Sequence, residues 1–209
     1  AITISATCPV GLIGDDINAA AARAQKAYGI PVLAFSCEGY KGVSQSAGHH
    51  IANNKLMRDV IGKNPDANGE GFSINILGEY NIGGDGWEIG RILSKIGYKV
   101  MSIMTGDGTY EDLTGAHKSK LNIVQCHRSI NYIAEMLEKK YGTPWLKVNF
   151  IGVEATMRTL RDMATYFGDA ELTAKTEAVI KEEYESIQDD MADYKEMVNG
   201  KKACLFVGG

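Results

Sequence analysis

Cys126 is well placed in this sequence to do chemistry. It follows the short apolar run Leu121–Val124 and precedes a segment of helical periodicity, which puts a thiol between a buried strand and a helix N-terminus. The partial positive charge of a helix N-terminus favours thiolate over thiol. A thiolate in that position is a metal ligand or a nucleophile.

A second polar segment, residues 39–50, lies upstream and carries an amide, Gln45, and two imidazoles, His49 and His50. Adjacent residues on a helix diverge by about 100°, so one of the two histidines can face the end of a sheet while the other cannot. A metal site made from this histidine pair alone is therefore not expected.

A thiol enzyme is one chemistry that these residues allow. Neighbours in sequence usually point apart at a strand end, so His127 is a poor base for Cys126, whereas His49 remains available as a base. The sequence therefore leaves open a metal-free thiol hydrolase or transferase that uses Cys126 and His49. It also leaves open an α/β binding module without catalytic activity.

The elements that must position these residues alternate along the chain. Short apolar runs predict strands at Ile2–Ala6, Val32–Ser36, Ser73–Leu77, Lys99–Met104, Leu121–Val124, Leu146–Phe150 and Ala203–Val207, and the segments between them have helical period. Such alternation predicts an α/β fold with Rossmann-like parallel sheets flanked by helices. Ligands in these folds bind beyond the C-terminal ends of the strands, where Cys8, residues 39–50 and Cys126 fall.

Three units are expected along the chain. Residues 62–71 are rich in glycine and polar residues and predict a linker, as do residues 199–202. The predicted division is residues 1–62, the C-terminal part of a first α/β unit, then a second unit at 63–199 and the first strand of a third at 200–209. The sequence begins almost directly with the predicted strand Ile2–Ala6, and no helix follows the predicted strand Ala203–Val207. We therefore expect the sequence to be truncated at both ends.

Composition and charge exclude several classes of protein. A net charge of −4 argues against nucleic acid as the main partner, and no apolar run approaches the roughly 20 residues of a membrane span. The four cysteines form no C-x-x-C pair, and their distribution suits a reducing cytoplasm. The glycine-rich segment Gly83–Gly90 lacks the G-x-G-x-x-G pattern because Ile89 stands where the third glycine would be, so it predicts a tight turn.

Four longer motifs resemble the alpha subunits of nitrogenase molybdenum–iron proteins. They are TCPVGLIGDDI at residues 7–17, CEGYKGVSQSAGHHIAN at 37–53, GEYNIGGD at 78–85 and QCHRSINYI at 125–133. The resemblance covers essentially all 209 residues and is closest to the clostridial and methanogen type.

The resemblance implies a role for individual residues. Cys8 would bind the 8Fe-7S P-cluster, and Cys126 would bind a terminal iron of the iron–molybdenum cofactor. Gln45 would lie beside the homocitrate of that cofactor, and His49 would donate a hydrogen bond to one of its sulfides. The residues expected to line the cofactor pocket are Tyr80, Ile82, Arg128 and Ser129.

The resemblance also implies a function. The parent subunit would reduce dinitrogen to ammonia in a heterotetramer with the beta subunit, with ATP-coupled electron delivery from the iron protein. The remaining ligands of both clusters lie outside these residues in the family, so we expect this chain alone to be inactive. The alternative within the superfamily is a cofactor-assembly scaffold, and the joint presence of Gln45, His49 and Ser129 favours the catalytic subunit.

Overall fold

The structure, a computed structural model, describes residues 1–41 and 45–204 and divides into two compact units, residues 1–150 and 151–209. The first unit contains two parallel sheets. One sheet pairs β1 (Ile2–Ser5) with β2 (Val32–Phe35). The other has the order β4-β3-β5-β6 and consists of β3 (Phe72–Glu79), β4 (Tyr98–Thr105), β5 (Leu121–Val124) and β6 (Trp145–Lys147).

Helices follow the strands in the alternation that the sequence predicts. In the first unit they are α1 (Cys8–Ile13), α2 (Ile17–Tyr28), α3 (Gln45–Asp59), α4 (Asp85–Ile96), α5 (Tyr110–Gly115) and α6 (His127–Tyr141). Every strand pairing is parallel, which confirms the α/β class with helix-flanked parallel sheets. Within the described residues, no helix has the length and apolar character that crossing a membrane requires.

Strand β3 is a central strand and is buried over nearly its whole length. Ile74, Ile76 and Leu77 have no exposed surface, and of the strand only Phe72 is partly exposed. Parallel sheets are covered on both faces by helices, which is why such strands read as continuous apolar runs. The buried position of β3 fixes where its C-terminal end, and the residues just beyond it, must lie.

One hydrophobic core joins the elements that carry the candidate site. Leu33 of β2, Leu56 of α3, Leu77 of β3 and Ile133 of α6 belong to the same buried cluster. Helix α3 packs against α6 and also contacts β2. The core therefore holds α3 and α6 side by side, with α3 against β2 and α6 against β3 and β5.

The division into units at residue 62 stays a prediction. The two-stranded sheet ends with β2 at residue 35, and the four-stranded sheet begins with β3 at residue 72. The predicted boundary therefore falls in the segment between the two sheets. The core nevertheless includes residues from both sides of that boundary. Of the predicted third unit, residues 201–204 carry no regular structure and residues 205–209 lie outside the described part of the chain.

The described part of the second unit, residues 151–204, contains two helices, α7 (Val153–Phe167) and α8 (Ala170–Val198), which pack against each other. Leu160 and Met163 of α7 and Leu172 and Ile180 of α8 are buried. Helix α8 begins at Ala170 because the side chain of Asp169 caps it by accepting a hydrogen bond from the backbone nitrogen of Leu172.

Candidate functional site

The C-terminal end of β3 packs directly against the start of α6. Gly78 has a φ of 79°, a left-handed conformation that favours glycine. A Cβ carbon at Gly78 would lie 2.9 Å from both the Cβ and the backbone nitrogen of Cys126, and 2.8 Å from Cγ2 of Ile130. The bare backbone at Gly78 therefore allows Cys126 to lie against the end of β3.

Cys126 is the N-cap residue of α6, directly after β5. Its backbone is extended, with φ −104° and ψ 93°, and its side chain makes no capping hydrogen bond. The thiol is free and half-buried. The predicted location of the thiol between a buried strand and a helix N-terminus is confirmed. Among the described residues, however, the thiol has no hydrogen bond to an imidazole, and a thiol enzyme needs such a base.

His49 of α3 is held by Tyr80, which follows β3 directly. The hydroxyl of Tyr80 lies 3.1 Å from Nδ1 of His49, and the two rings meet edge to face with centroids 5.7 Å apart. Tyr80 is two residues beyond Gly78 in sequence, so the contact between His49 and Tyr80 and the contact between Gly78 and Cys126 both lie at the C-terminal end of β3.

The backbone around Tyr80 is supported on both sides. Asn81 adopts a left-handed φ of 51°, its nitrogen donates to the buried Glu79 carboxylate at 2.7 Å, and its Oδ1 accepts from the nitrogen of Gly86 at 3.1 Å. The nitrogen of Gly106 donates to the carbonyl of Glu79 at 2.9 Å, and a Cβ at Gly106 would collide with the carbonyl carbon of Tyr80. These contacts fix the path of the chain through Tyr80.

The two adjacent histidines diverge as expected. The ring of His50 stacks on Tyr132 of α6, with centroids 5.0 Å apart and an interplanar angle of 22°, while His49 faces Tyr80. Across the described part of the chain, no group of three or more histidine, cysteine and carboxylate side chains could hold a metal ion by itself. A metal at this site would therefore take only part of its ligands from these residues.

The remaining residues predicted for the pocket divide into two groups. Ile82 is 92% exposed in the turn after Tyr80, so its side chain is free to contact a ligand beyond the strand ends. The side chains of Gln45, Arg128 and Ser129 lie outside the described residues. Their predicted roles stay predictions, as do those of the other site residues.

Cys8 lies in α1, beyond the end of β1 in the two-stranded sheet. It is half-buried, and a Cβ carbon on Gly39 would stand 3.8 Å from its sulfur. On the same helix, Leu12 and Ile13 are 69% and 73% exposed. The thiol of Cys8 is therefore not enclosed in a core and lies beside an uncovered apolar surface.

Two supports of the site, Asn81 and Gly106, were not predicted from the sequence. Asparagine tolerates a left-handed backbone better than most residues, and Asn81 follows a predicted strand and precedes a glycine-rich turn. That position is the only local signal of its role. Gly106 carries no such signal, because its close neighbour Tyr80 lies far from it in sequence.

Comparison with known proteins identifies the family. All of residues 1–209 match the model of the family described as nitrogenase component 1 type oxidoreductase. The chain belongs to this family. It is 65% identical over 209 residues to a nitrogenase molybdenum–iron protein alpha chain of Clostridium pasteurianum and 54% identical to that of Methanosarcina barkeri. It is also 43% identical over 208 residues to the cofactor biosynthesis protein NifE of Methanococcus maripaludis.

Solved structures show the same fold. The structure described as nitrogenase Cp1 at pH 6.5 matches the whole chain with a TM-score of 0.94 and 65% identity, over 40% of its own length. The two alpha chains are each covered over 39% of their length. The chain thus spans about two-fifths of the curated relatives that it matches, as the resemblance implied.

Proposed function

We propose that this chain is part of the catalytic alpha subunit of a nitrogenase, which reduces dinitrogen to ammonia with its beta subunit and with ATP-coupled electrons from an iron protein. The observation that carries the proposal is the grouping of His49, Tyr80 and Cys126 at one end of β3, within a chain that is similar over its whole length to molybdenum–iron alpha chains. We place this activity in the cytoplasm.

The residues at the site fit an iron–molybdenum cofactor with homocitrate. Cys126 offers a free thiol that makes no capping hydrogen bond, and thiolates suit iron–sulfur clusters. When bound, the cofactor would supply the redox chemistry. His49 would donate a hydrogen bond to it, Ile82 would contact it from the turn after β3, and Gln45, Tyr80, Arg128 and Ser129 would complete its pocket.

The surface near Cys8 supports a place at a subunit interface. Exposed apolar side chains beside a half-buried thiol are typical of a surface that a partner covers. We propose that Cys8 contributes one ligand to an 8Fe-7S P-cluster between this chain and the beta subunit.

The test uses the full-length protein purified with its beta subunit. We expect Cys126→Ala to abolish molybdenum retention, because the iron that Cys126 binds would lose its protein ligand. We expect His49→Gln to keep the molybdenum but to depress dinitrogen reduction by about 10–100-fold, because only a hydrogen bond to the cofactor is weakened. Metal analysis, ammonia yield and hydrogen yield measure both effects, and Cys204→Ala, which removes a thiol without a predicted role, is the matched control.

The outcomes separate this proposal from its alternatives. Full molybdenum in the Cys126 variant, or its loss from the His49 variant, would show that the two roles are wrong. The similarity to NifE makes a cofactor-assembly scaffold the second candidate. A scaffold would bind a cofactor precursor and transfer it to another alpha chain without reducing dinitrogen itself.

A further inference from the structure

Tyr80 is the closest polar partner of His49 in the described part of the chain. Its hydroxyl oxygen is 3.1 Å from Nδ1, and its ring meets the imidazole edge to face at an interplanar angle of 74°. A neutral imidazole carries its single proton on either Nδ1 or Nε2, and the hydrogen bond made by one nitrogen decides which nitrogen holds the proton. The contact with Tyr80 therefore bears on what the far side of His49 can do.

We propose that Tyr80 is a positioning residue that holds His49 in the tautomer with its proton on Nε2. This inference rests on the proposed function, since it names which nitrogen of His49 faces the cofactor as a donor. A phenolic hydroxyl is a good donor to a basic imidazole nitrogen, so Nδ1 of His49 accepts the hydrogen bond and Nε2 carries the proton. Nε2 is then a hydrogen-bond donor and has no lone pair with which to bind a metal.

The proposal needs Tyr80 to be fixed in place, and the surrounding backbone fixes it. The left-handed residue Asn81 is held by Glu79 on one side and by Gly86 on the other. Gly106 packs against the carbonyl of Tyr80 so closely that a side chain there would collide with it. A residue in a left-handed conformation persists only where its surroundings determine it, and such positions cluster at functional sites.

The alternative is that Tyr80 only packs against His49. Tyr80→Phe separates the two roles, because it keeps the edge-to-face ring contact and removes the hydroxyl. The matched control is Tyr132→Phe, which makes the same chemical change beside the neighbouring histidine, His50.

The measurement is solid-state ¹⁵N NMR of histidine-labelled, cofactor-free, full-length protein, with the His49 signals assigned from a His49→Gln spectrum. In the unmodified protein we expect a non-protonated Nδ1 and a protonated Nε2 at His49. In Tyr80→Phe we expect a mixture of the two tautomers, and in Tyr132→Phe an unchanged His49. A protonated Nδ1 in the unmodified protein overturns the proposal without any variant, and an unchanged tautomer in Tyr80→Phe also overturns it.

A second measurement follows the reaction in the cofactor-loaded protein. Tyr80→Phe should lower the ratio of ammonia to hydrogen less than His49→Gln does, and the double variant should match His49→Gln alone, because both changes act through one imidazole. Additive losses would mean that Tyr80 acts independently of His49. If the unmodified protein does not reduce dinitrogen, the proposed function is wrong. The tautomer measured by NMR still decides the role of Tyr80 in that case.

Discussion

Gly78 and Cys126 pack so closely that a Cβ carbon on Gly78 would stand 2.9 Å from the Cβ carbon of Cys126. Real Cβ atoms essentially never approach another atom so closely, so any other residue at Gly78 would push the start of α6 away from β3. The position of the thiol is therefore set by a glycine on a different strand, 48 residues earlier in the sequence.

Replacing Gly78 by alanine should both destabilise the fold and displace Cys126. We expect a cost of about 1–2 kcal/mol from the left-handed backbone and a further ~1–3 kcal/mol from the collision. Urea unfolding measures the loss of stability, and metal analysis of the full-length protein measures loss of the cofactor.

Gly71→Ala is the matched control for Gly78→Ala. Gly71, immediately before the same strand, has a similar φ of 74°, but a Cβ carbon there would meet nothing within 4 Å. The Gly71→Ala variant should lose only the stability that the left-handed backbone costs, and it should retain its metal. Equal losses at the two positions would contradict the collision with Cys126.

The contrast between Cys126 and Gly78 shows how far the sequence predicts this molecule. Local patterns predicted the strand Leu121–Val124 with its observed bounds and the thiol at the helix start that follows it. The left-handed turn at Gly78 and the direction of Tyr80 were not predictable, because they depend on contacts between segments far apart in sequence.

Where a predicted strand ended wrongly, the partner strand explains the difference. A strand was predicted at Leu146–Phe150, but β6 comprises Trp145–Lys147. Its neighbour β5 stops at Val124, which pairs with Lys147, so the ladder has no partner strand for the apolar residues beyond.

The helix that holds Cys8, α1, was not predicted from the sequence. Pro9 in its first turn is a signal of a helix start that was available in the sequence.

Asn75 should be among the most sensitive polar residues of the first unit. It is fully buried in β3, where its Nδ2 lies 2.7 Å from Oγ of Ser119 and 2.8 Å from Oδ1 of Asn122, and its Oδ1 accepts from Ser102 at 2.8 Å. Asn75→Ala leaves several buried groups without partners, each costing about 1–3 kcal/mol. We expect a total loss of roughly 3–5 kcal/mol in the free energy of unfolding.

Ser102→Ala removes one donor to Asn75 and should cost less than Asn75→Ala. Because both residues belong to one network, the double variant should lose less stability than the sum of the single variants. Chemical unfolding of all three variants tests this expectation. Strict additivity would show that the two side chains act independently.

His117 should make the stability of the first unit depend on pH. Burial lowers the pKa of His117 below its ordinary value of 6.5, and the positive charge of Lys118 lowers it further. A backbone hydrogen bond with Thr114 opposes this shift, and the charge of Lys140 adds the smallest lowering contribution. Above pH 6.5 the side chain is neutral in both the folded and the unfolded chain. As the pH falls below 6.5 the unfolded chain takes up the proton first, so stability declines until the pH reaches the lowered pKa of the folded state.

Unfolding free energies measured from pH 8 down through the acid range test this prediction. The slope due to one proton cannot exceed about 1.4 kcal/mol per pH unit. His117→Gln should remove this contribution, and Lys118→Gln should shrink it by letting the pKa of His117 rise. A pH profile that is the same in the original chain and in His117→Gln would contradict the predicted role.

Leu12 and Ile13 should matter for assembly and not for folding. Their side chains are 69% and 73% exposed on the helix that carries Cys8, so replacing both by serine removes little buried surface. Exposed substitutions usually change stability by no more than about 0.5 kcal/mol, and we expect thermal unfolding of the isolated chain to be nearly unchanged. In the full-length protein the same double variant should weaken co-purification with the beta subunit.

Tyr28→Ser is the control for the Leu12 and Ile13 variant. Tyr28 is 74% exposed on a different helix, α2, and its replacement should leave the complex intact. If the Leu12 and Ile13 variant retained the beta subunit as firmly as the Tyr28 variant does, the interface proposed beside Cys8 would have to lie elsewhere.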